Sequence, residues 1–155
     1  MYTTLLFLHS ILRWVLLLAM LYTIYRGYVG WFGKAAYTKS DTNARLITVI
    51  TAHLQLIIGV LLYFISPITR YFMSNFSEAV KISDIRFSAM EHTLMMLIAV
   101  VLITVGGVLA KKRLTDQGKF KAMAIWFSIA LFIIIISIPW QLSPFGVERP
   151  LLRGF

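Results

Sequence analysis

The chain has 155 residues, of which 59% are hydrophobic and only 14% are charged. A soluble domain usually carries about 25% charged residues, so a chain this short and apolar cannot cover its own surface with polar groups, and we expect a lipid bilayer to be its solvent. The net charge of +9 does not indicate nucleic acid, because the basic residues lie between apolar runs. The absence of cysteine excludes disulfides and thiolate metal ligands.

Four apolar runs predict the fold, because each can cross about 30 Å of hydrocarbon as a helix of about 20 residues. They comprise residues 5–25, 46–65, 87–109 and 122–138. Helices are expected because lipid cannot satisfy backbone N–H and C=O groups, and the runs lack the alternation of β-barrel strands. The connections are short, so we predict an all-α, antiparallel four-helix bundle that forms a single transmembrane domain over residues 1–155.

Glycine, proline and capping residues predict where these spans begin and end. Residues expected to interrupt a helix are Gly27, Gly30 and Gly33 after the first span, Ser66 and Pro67 after the second, and Pro139 after the fourth. Ser83 and Asp84 are candidates for the N-cap of the third span. Gly118 is expected in the turn before the fourth span, and residues 141–155 are expected on the outer surface.

The basic residues predict the orientation of the chain. Nine of the 15 lysines and arginines fall in or beside the first and third connections: Arg26, Lys34, Lys39, Arg45, Lys111, Lys112, Arg113, Lys119 and Lys121. Because loops rich in lysine and arginine stay in the cytoplasm, we expect both of these connections inside and both termini outside.

Polar side chains inside the predicted spans are the main functional signal, since they are costly in a bilayer and usually face the bundle interior. They are His9 and Arg13 in the first span, His53 and Gln55 in the second, and Glu91 and His92 in the third. At about 1.5 Å per residue, His9 and His92 lie at similar depth, whereas His53 lies near the midplane. Two level imidazoles on different helices can hold a haem iron from both faces, so His9 and His92 are the predicted metal ligands.

Arg13 needs a neutralising partner, because an isolated arginine at this depth is costly. Glu91 is the one acid within the predicted spans, and we predict an Arg13–Glu91 ion pair. Such a pair would lock the first and third spans together, or it would let Glu91 relay a proton beside His92. Met95 or Met96 is a weaker candidate ligand to pair with His53, since a thioether can bind haem iron but methionine more often packs.

Position alone leaves three interpretations of these polar residues open. Intramembrane histidine, glutamine and glutamate also form interhelical hydrogen bonds, each contributing roughly 0.6 to 2 kcal/mol. The second interpretation is haem ligation, and the third is a quinone or proton site.

Four short stretches resemble a known family. They are LHSILRW at residues 8–14, AHLQ at 52–55, EHTLMM at 91–96 and SIPW at 137–140. They resemble a family of small bacterial four-span proteins labelled "cytochrome b" and, more distantly, the cytochrome b561 superfamily. In that superfamily intramembrane histidines ligate b-type haem, and electrons come from quinol. This chain has three histidines, fewer than the four that two bis-histidine haems would need.

The resemblance implies a b-type cytochrome-like electron-transfer protein of the bacterial inner membrane, with both termini periplasmic. Haem b would be held between helices, with His9, His53 and His92 as candidate ligands, Arg13 and Glu91 nearby, and quinol as an electron donor. The alternative is a non-catalytic accessory subunit of a larger membrane complex, whose histidines are structural and whose partners are other membrane subunits.

Overall fold

The computed structural model describes residues 1–140, and these residues are helical with no strand. The elements in chain order are α1 (Tyr2–Phe32), α2 (Lys39–Ile65), α3 (Pro67–Ser74), α4 (Phe76–Ala79), α5 (Ser83–Arg86), a π-helical turn (Phe87–Glu91), α6 (His92–Lys112) and α7 (Asp116–Ser137). The elements α5, the π-helical turn and α6 run on as one helix from Ser83 to Lys112. The expected surface position of residues 141–155 lies outside the described residues.

Within residues 1–140, four helices are long and apolar enough to cross a membrane: Tyr2–Phe32, Lys39–Ile65, Ser83–Lys112 and Asp116–Ser137. Their outward surfaces are apolar, as shown by the large exposed fractions of Leu18, Phe64 and Phe132. An apolar surface of this extent requires lipid as its solvent. The chain is therefore a multi-pass membrane protein, and the predicted all-α helical bundle is confirmed.

The long helices pack in a cyclic order. Helix α1 packs against α2 and α7, and α6 packs against α7 and α2, so α1 and α6 are diagonally opposed. We call one end of the bundle the hairpin end, where residues 33–38 join α1 to α2 and residues 113–115 join α6 to α7. The other end, with residue 1, the segment 66–82 and residue 140, is the terminal end.

Close helix packing near the hairpin end depends on two glycines of α1. Gly27 and Gly30 are buried inside α1. A Cβ atom at Gly27 would lie 2.9 Å from the backbone nitrogen of Ala124, and one at Gly30 would lie 2.5 Å from the ring of Phe120. Helix α1 continues through both positions, so the prediction that these glycines interrupt the helix was wrong. Glycine is required here because α7 approaches α1 too closely for a larger residue. Helix α1 ends only at Phe32, before Gly33.

The other predicted boundaries mostly agree with the structure. Helix α2 ends at Ile65, and Ser66 is extended before Pro67. Helix α7 ends at Ser137, two residues before Pro139. The third spanning helix begins at Ser83, with Ile82 at the N-cap position in place of Ser83 or Asp84. Gly118 lies in the first turn of α7 and donates its N–H to Thr115 Oγ1 at 3.1 Å, so α7 begins before the predicted turn ends.

Candidate functional site

A π-helical turn precedes His92 in the third spanning helix. An α-helix brings residues i and i+4 together, whereas the wider π turn brings residues i and i+5 together. Arg86 Nε donates to Glu91 Oε1 at 2.7 Å, the rings of Phe87 and His92 lie 5.7 Å apart, and Thr93 Oγ1 donates to Ser88 O at 3.4 Å. Each of these pairs has the i, i+5 spacing, so the π turn sets the surroundings of both Glu91 and His92. Turns of this kind occur frequently at functional sites.

The predicted Arg13–Glu91 ion pair was wrong. Glu91 is ion-paired with Arg86, which also donates to Val80 O at 3.1 Å. Arg13 lies on α1, the helix diagonal to α6, and its Nη2 donates to Ser10 Oγ at 3.4 Å. The physical reason is that the π turn places a nearer cation beside Glu91 than the diagonal helix can supply.

His92 lies between α6 and α7. Its Nδ1 is 2.9 Å from the carbonyl oxygen of Ser137, the last residue of α7. A carbonyl oxygen can only accept, so Nδ1 carries the proton and, in the neutral ring, Nε2 carries the lone pair. A histidine that ligates a metal through Nε2 is commonly oriented by this kind of hydrogen bond. The side-chain hydroxyl of Ser137 is buried and has no partner within residues 1–140.

His9 lies between α1 and α2. A Cβ atom at Gly59 would lie 3.4 Å from His9 Cε1, so the ring of His9 rests on a position that has no side chain. One turn earlier in α2, Gln55 Nε2 donates to the backbone oxygen of His9 at 3.0 Å. The Gln55 Oε1 atom is buried and has no partner within the described residues. Residues Gln55 and Gly59 therefore form one face of α2 against His9.

His53 lies deeper in the bundle, between α2 and α6. Its Nδ1 is 2.7 Å from Val49 O, and its Nε2 is 3.4 Å from Thr104 Oγ1. The single hydroxyl proton of Thr104 is donated to Val100 O at 2.7 Å. Six residues separate His53 from Gly59, which corresponds to about 9 Å along α2. His53 is therefore placed apart from His9, and both of its nitrogens face protein oxygen atoms.

No model of a known protein family matches this chain, and no curated protein or solved structure matches it either. The function is therefore inferred from the arrangement of the residues themselves.

The described residues fit some classes of metal group better than others. Within residues 1–140, no three or more histidine, cysteine, aspartate or glutamate residues are grouped to hold a metal ion. Haem needs only one or two axial protein ligands, because the macrocycle supplies the other four. The fixed tautomer of His92 fits that requirement. His9 lies on α1, the helix diagonal to that of His92, and its ring packs against Gly59 of α2, so the structure does not bring the two imidazoles into contact. Met96 packs against the hydrophobic core, as a packing methionine does.

Several residues of this region were missed by the sequence analysis. Ser10 and Ser137 are buried polar residues within apolar runs, and this was a readable signal. Arg86 carried no such signal, because its five-residue spacing from Glu91 does not match an α-helical pair. Thr104 could not be connected with His53 either, since their contact depends on how α2 and α6 pack.

Proposed function

We propose that this chain is a b-type cytochrome-like electron-transfer protein of a bacterial inner membrane, with haem b bound between its helices near the terminal end. His92 and His9 are the proposed axial ligands, and quinol is the proposed electron donor. The observation that carries the proposal is the hydrogen bond between His92 Nδ1 and the carbonyl of Ser137. It fixes the tautomer in which Nε2 carries the lone pair, and Nε2 would then be the ligating nitrogen.

A haem bound here would supply one-electron transfer at its iron. The chain's own residues orient and surround it. Ser137 holds the His92 ring through the Nδ1 hydrogen bond, and Phe87 packs beside that ring. The ring of His9 packs against α2 at Gly59, where an added Cβ atom would lie 3.4 Å from its Cε1.

Charged residues near His92 complete the proposed site. Arg86 balances the charge of Glu91 at 2.7 Å, so Glu91 sits beside His92 as half of a neutral pair. An ion-paired carboxylate binds a proton weakly, so Glu91 can accept a proton released by quinol only when its pair with Arg86 opens. Arg13, whose Nη2 donates to Ser10 Oγ at 3.4 Å, would supply a positive charge to a haem bound near His9. His53 is a secondary candidate, because both of its nitrogens face protein oxygens.

The proposed orientation puts the hairpin end in the cytoplasm and both termini in the periplasm. Residues 26–45 and 111–121, at the hairpin end, carry nine basic and two acidic side chains, which supports this orientation. The chain contains no cysteine, so single cysteines can be introduced at Lys34 and at Ser77. A thiol reagent that cannot cross the inner membrane should label the Ser77→Cys variant in whole cells and leave the Lys34→Cys variant unlabelled. The reverse pattern would refute the orientation.

The second candidate function is a structural subunit of a larger membrane complex. The observation that favours it is His53, whose hydrogen bonds connect α2 to α6 without any cofactor. Intramembrane histidines in this bundle can therefore serve packing alone.

The absorption spectrum of the detergent-purified full-length protein separates the two functions. Expression in a haem-replete host should give a Soret band and a reduced-minus-oxidised α band. A colourless protein that co-purifies with other membrane subunits would contradict the cytochrome proposal and support the structural subunit.

A further inference from the structure

Arg45 is a buried cation near the hairpin end of the bundle. It is only 8% exposed, and its Nη1 donates to the carbonyl oxygen of Gly107 in α6 at 3.0 Å. Its Nε is buried and has no hydrogen-bond partner within residues 1–140. A buried guanidinium is costly unless its charge and its donors are matched. Within residues 1–140, Nε of Arg45 has no acceptor.

The nearest acid in the sequence cannot serve as a counter-charge to Arg45. Asp41 lies one turn before Arg45 in α2, but its Oδ1 accepts from Arg26 at 2.8 Å. Its Oδ2 accepts from the backbone nitrogen and the hydroxyl of Thr38, at 2.9 and 2.8 Å. The ion pairs within the described residues are Arg26–Asp41, Arg86–Glu91 and Lys119–Asp116. Within the described part of the chain, Arg45 therefore has no acidic partner for its positive charge.

The position of Arg45 indicates which kind of anion can reach it. It lies six residues into α2, about 9 Å along the helix, within a segment apolar enough to span a membrane. Lys111 follows Gly107 by one turn of α6 and is exposed, so both lie on one face of that helix. Leu46 and Val108, the chain neighbours of Arg45 and Gly107, are exposed apolar residues. At this depth, with a lysine and apolar residues nearby, Arg45 is better placed to bind the phosphate group of a lipid than an anion dissolved in bulk water.

We infer that Arg45 and Lys111 bind the phosphate of an anionic phospholipid headgroup between α2 and α6 at the hairpin end. The phosphate supplies acceptors for Nε of Arg45 and the missing negative charge. The acyl chains of the lipid lie along the apolar outer surfaces of α2 and α6. The excess of basic residues at this end draws anionic lipid to the site, and Arg45 fixes one lipid molecule there.

The test uses the full-length protein in lipid nanodiscs of dioleoyl-phosphatidylcholine, with or without dioleoyl-phosphatidylglycerol. Phosphatidylglycerol should raise the Tm of the native protein by about 4 °C. Native mass spectrometry should show one retained phosphatidylglycerol molecule and no retained phosphatidylcholine. The Arg45→Gln variant should lose most of the Tm increment and retain the lipid about tenfold less well. The matched control is Lys39→Gln, which removes an exposed charge from the same helix and should keep the increment.

A second variant and a soluble anion complete the experiment. Should Arg45→Gln fail to fold, Lys111→Gln, an exposed substitution, should still lose about half of the Tm increment. A native protein that gains nothing from phosphatidylglycerol would overturn the inference, as would an Arg45→Gln variant that keeps the full increment. Inorganic phosphate added to phosphatidylcholine nanodiscs should have no effect on Tm. An equal increment from phosphate would assign the site to a soluble anion and overturn the lipid assignment.

Discussion

At the hairpin end of the bundle, Asp41 accepts hydrogen bonds on both carboxylate oxygens, and Thr23 and Thr48 bond to each other at 2.9 Å between regular α-helices. At the terminal end, the helix before His92 contains a π turn, and the short helices α3 and α4 interrupt the connection from α2. Polar side chains there bond to backbone carbonyls, as His92 does to Ser137 and Gln55 does to His9.

We interpret this difference as one between an end that contributes mainly to stability and an end that carries the proposed site. Close glycine packing and a buried ion pair at the hairpin end hold α1, α2 and α7 together. The terminal end has a small buried cluster of Phe72, Ala79 and Ala89, and it carries the residues that we propose as cofactor ligands. Substitutions should therefore reduce stability at the hairpin end and change haem binding at the terminal end.

The largest loss of stability is expected at the buried ion pair. Asp41→Ala leaves Arg26 without its partner and removes the acceptor of the Thr38 amide, so the free energy of unfolding should fall by about 3 kcal/mol. Unfolding in mixed detergent micelles measures this change. Glu78→Ala, which removes an exposed acid at the terminal end, is the control and should stay within about 0.5 kcal/mol of the native protein. Equal losses of unfolding free energy in both variants would contradict the view that the hairpin end contributes more to stability than the terminal end.

Glycine packing at the hairpin end gives the next largest effect. Gly30→Ala places a methyl group 2.5 Å from the Phe120 ring and should cost about 2 kcal/mol through overpacking. The double variant with Phe120→Leu should recover part of this loss, because a smaller side chain then faces the new methyl group. The same unfolding assay measures both. An unchanged Gly30→Ala variant would mean that α1 and α7 are not in close contact.

Gly59 is the matching glycine at the terminal end, and a different result is expected there. A methyl group at this position would lie 3.4 Å from His9 Cε1, so Gly59→Ala should change the free energy of unfolding by less than about 0.5 kcal/mol. It should reduce haem retention about threefold, since the methyl group restricts the ring of His9. Haem content per protein measures this effect. A large loss of stability with unchanged haem content would reverse the assignment of the two ends.

The smallest effect is expected for the buried hydroxyl of Ser137. It has no partner within residues 1–140, so Ser137→Ala breaks no hydrogen bond and leaves the carbonyl that orients His92 in place. The free energy of unfolding should change by less than about 0.5 kcal/mol, and the haem spectrum should be unaltered. A loss above about 1 kcal/mol would show that this hydroxyl makes a hydrogen bond in the membrane.

Most of the fold could be predicted from the sequence, because long apolar runs and prolines determine where helices form and end through local interactions. Ser66 and Pro67 ended α2 where expected, since a residue before proline leaves the helical region. The role of Gly27 and Gly30 was predicted wrongly, because it depends on Ala124 and Phe120, which lie at least 90 residues away in the chain.

The candidate site was less predictable than the fold. The positions of His9, His53 and His92 within the apolar runs predict their depths, and these depths stay predictions. Their partners could not be predicted, because the contact of His92 with Ser137 depends on the packing of α6 against α7. The π turn changes which residues face each other, and no residue pattern in the sequence marks it. The Arg13–Glu91 prediction failed for that reason.

Haem content and the reduced-minus-oxidised spectrum of three single variants test the central claim most directly. His9→Ala and His92→Ala should each lose the haem or convert it to a five-coordinate species with a shifted Soret band, whereas His53→Ala should keep the native spectrum. A His92→Ala variant with an unchanged spectrum, or haem loss only in His53→Ala, would contradict the assignment of the site to the terminal end.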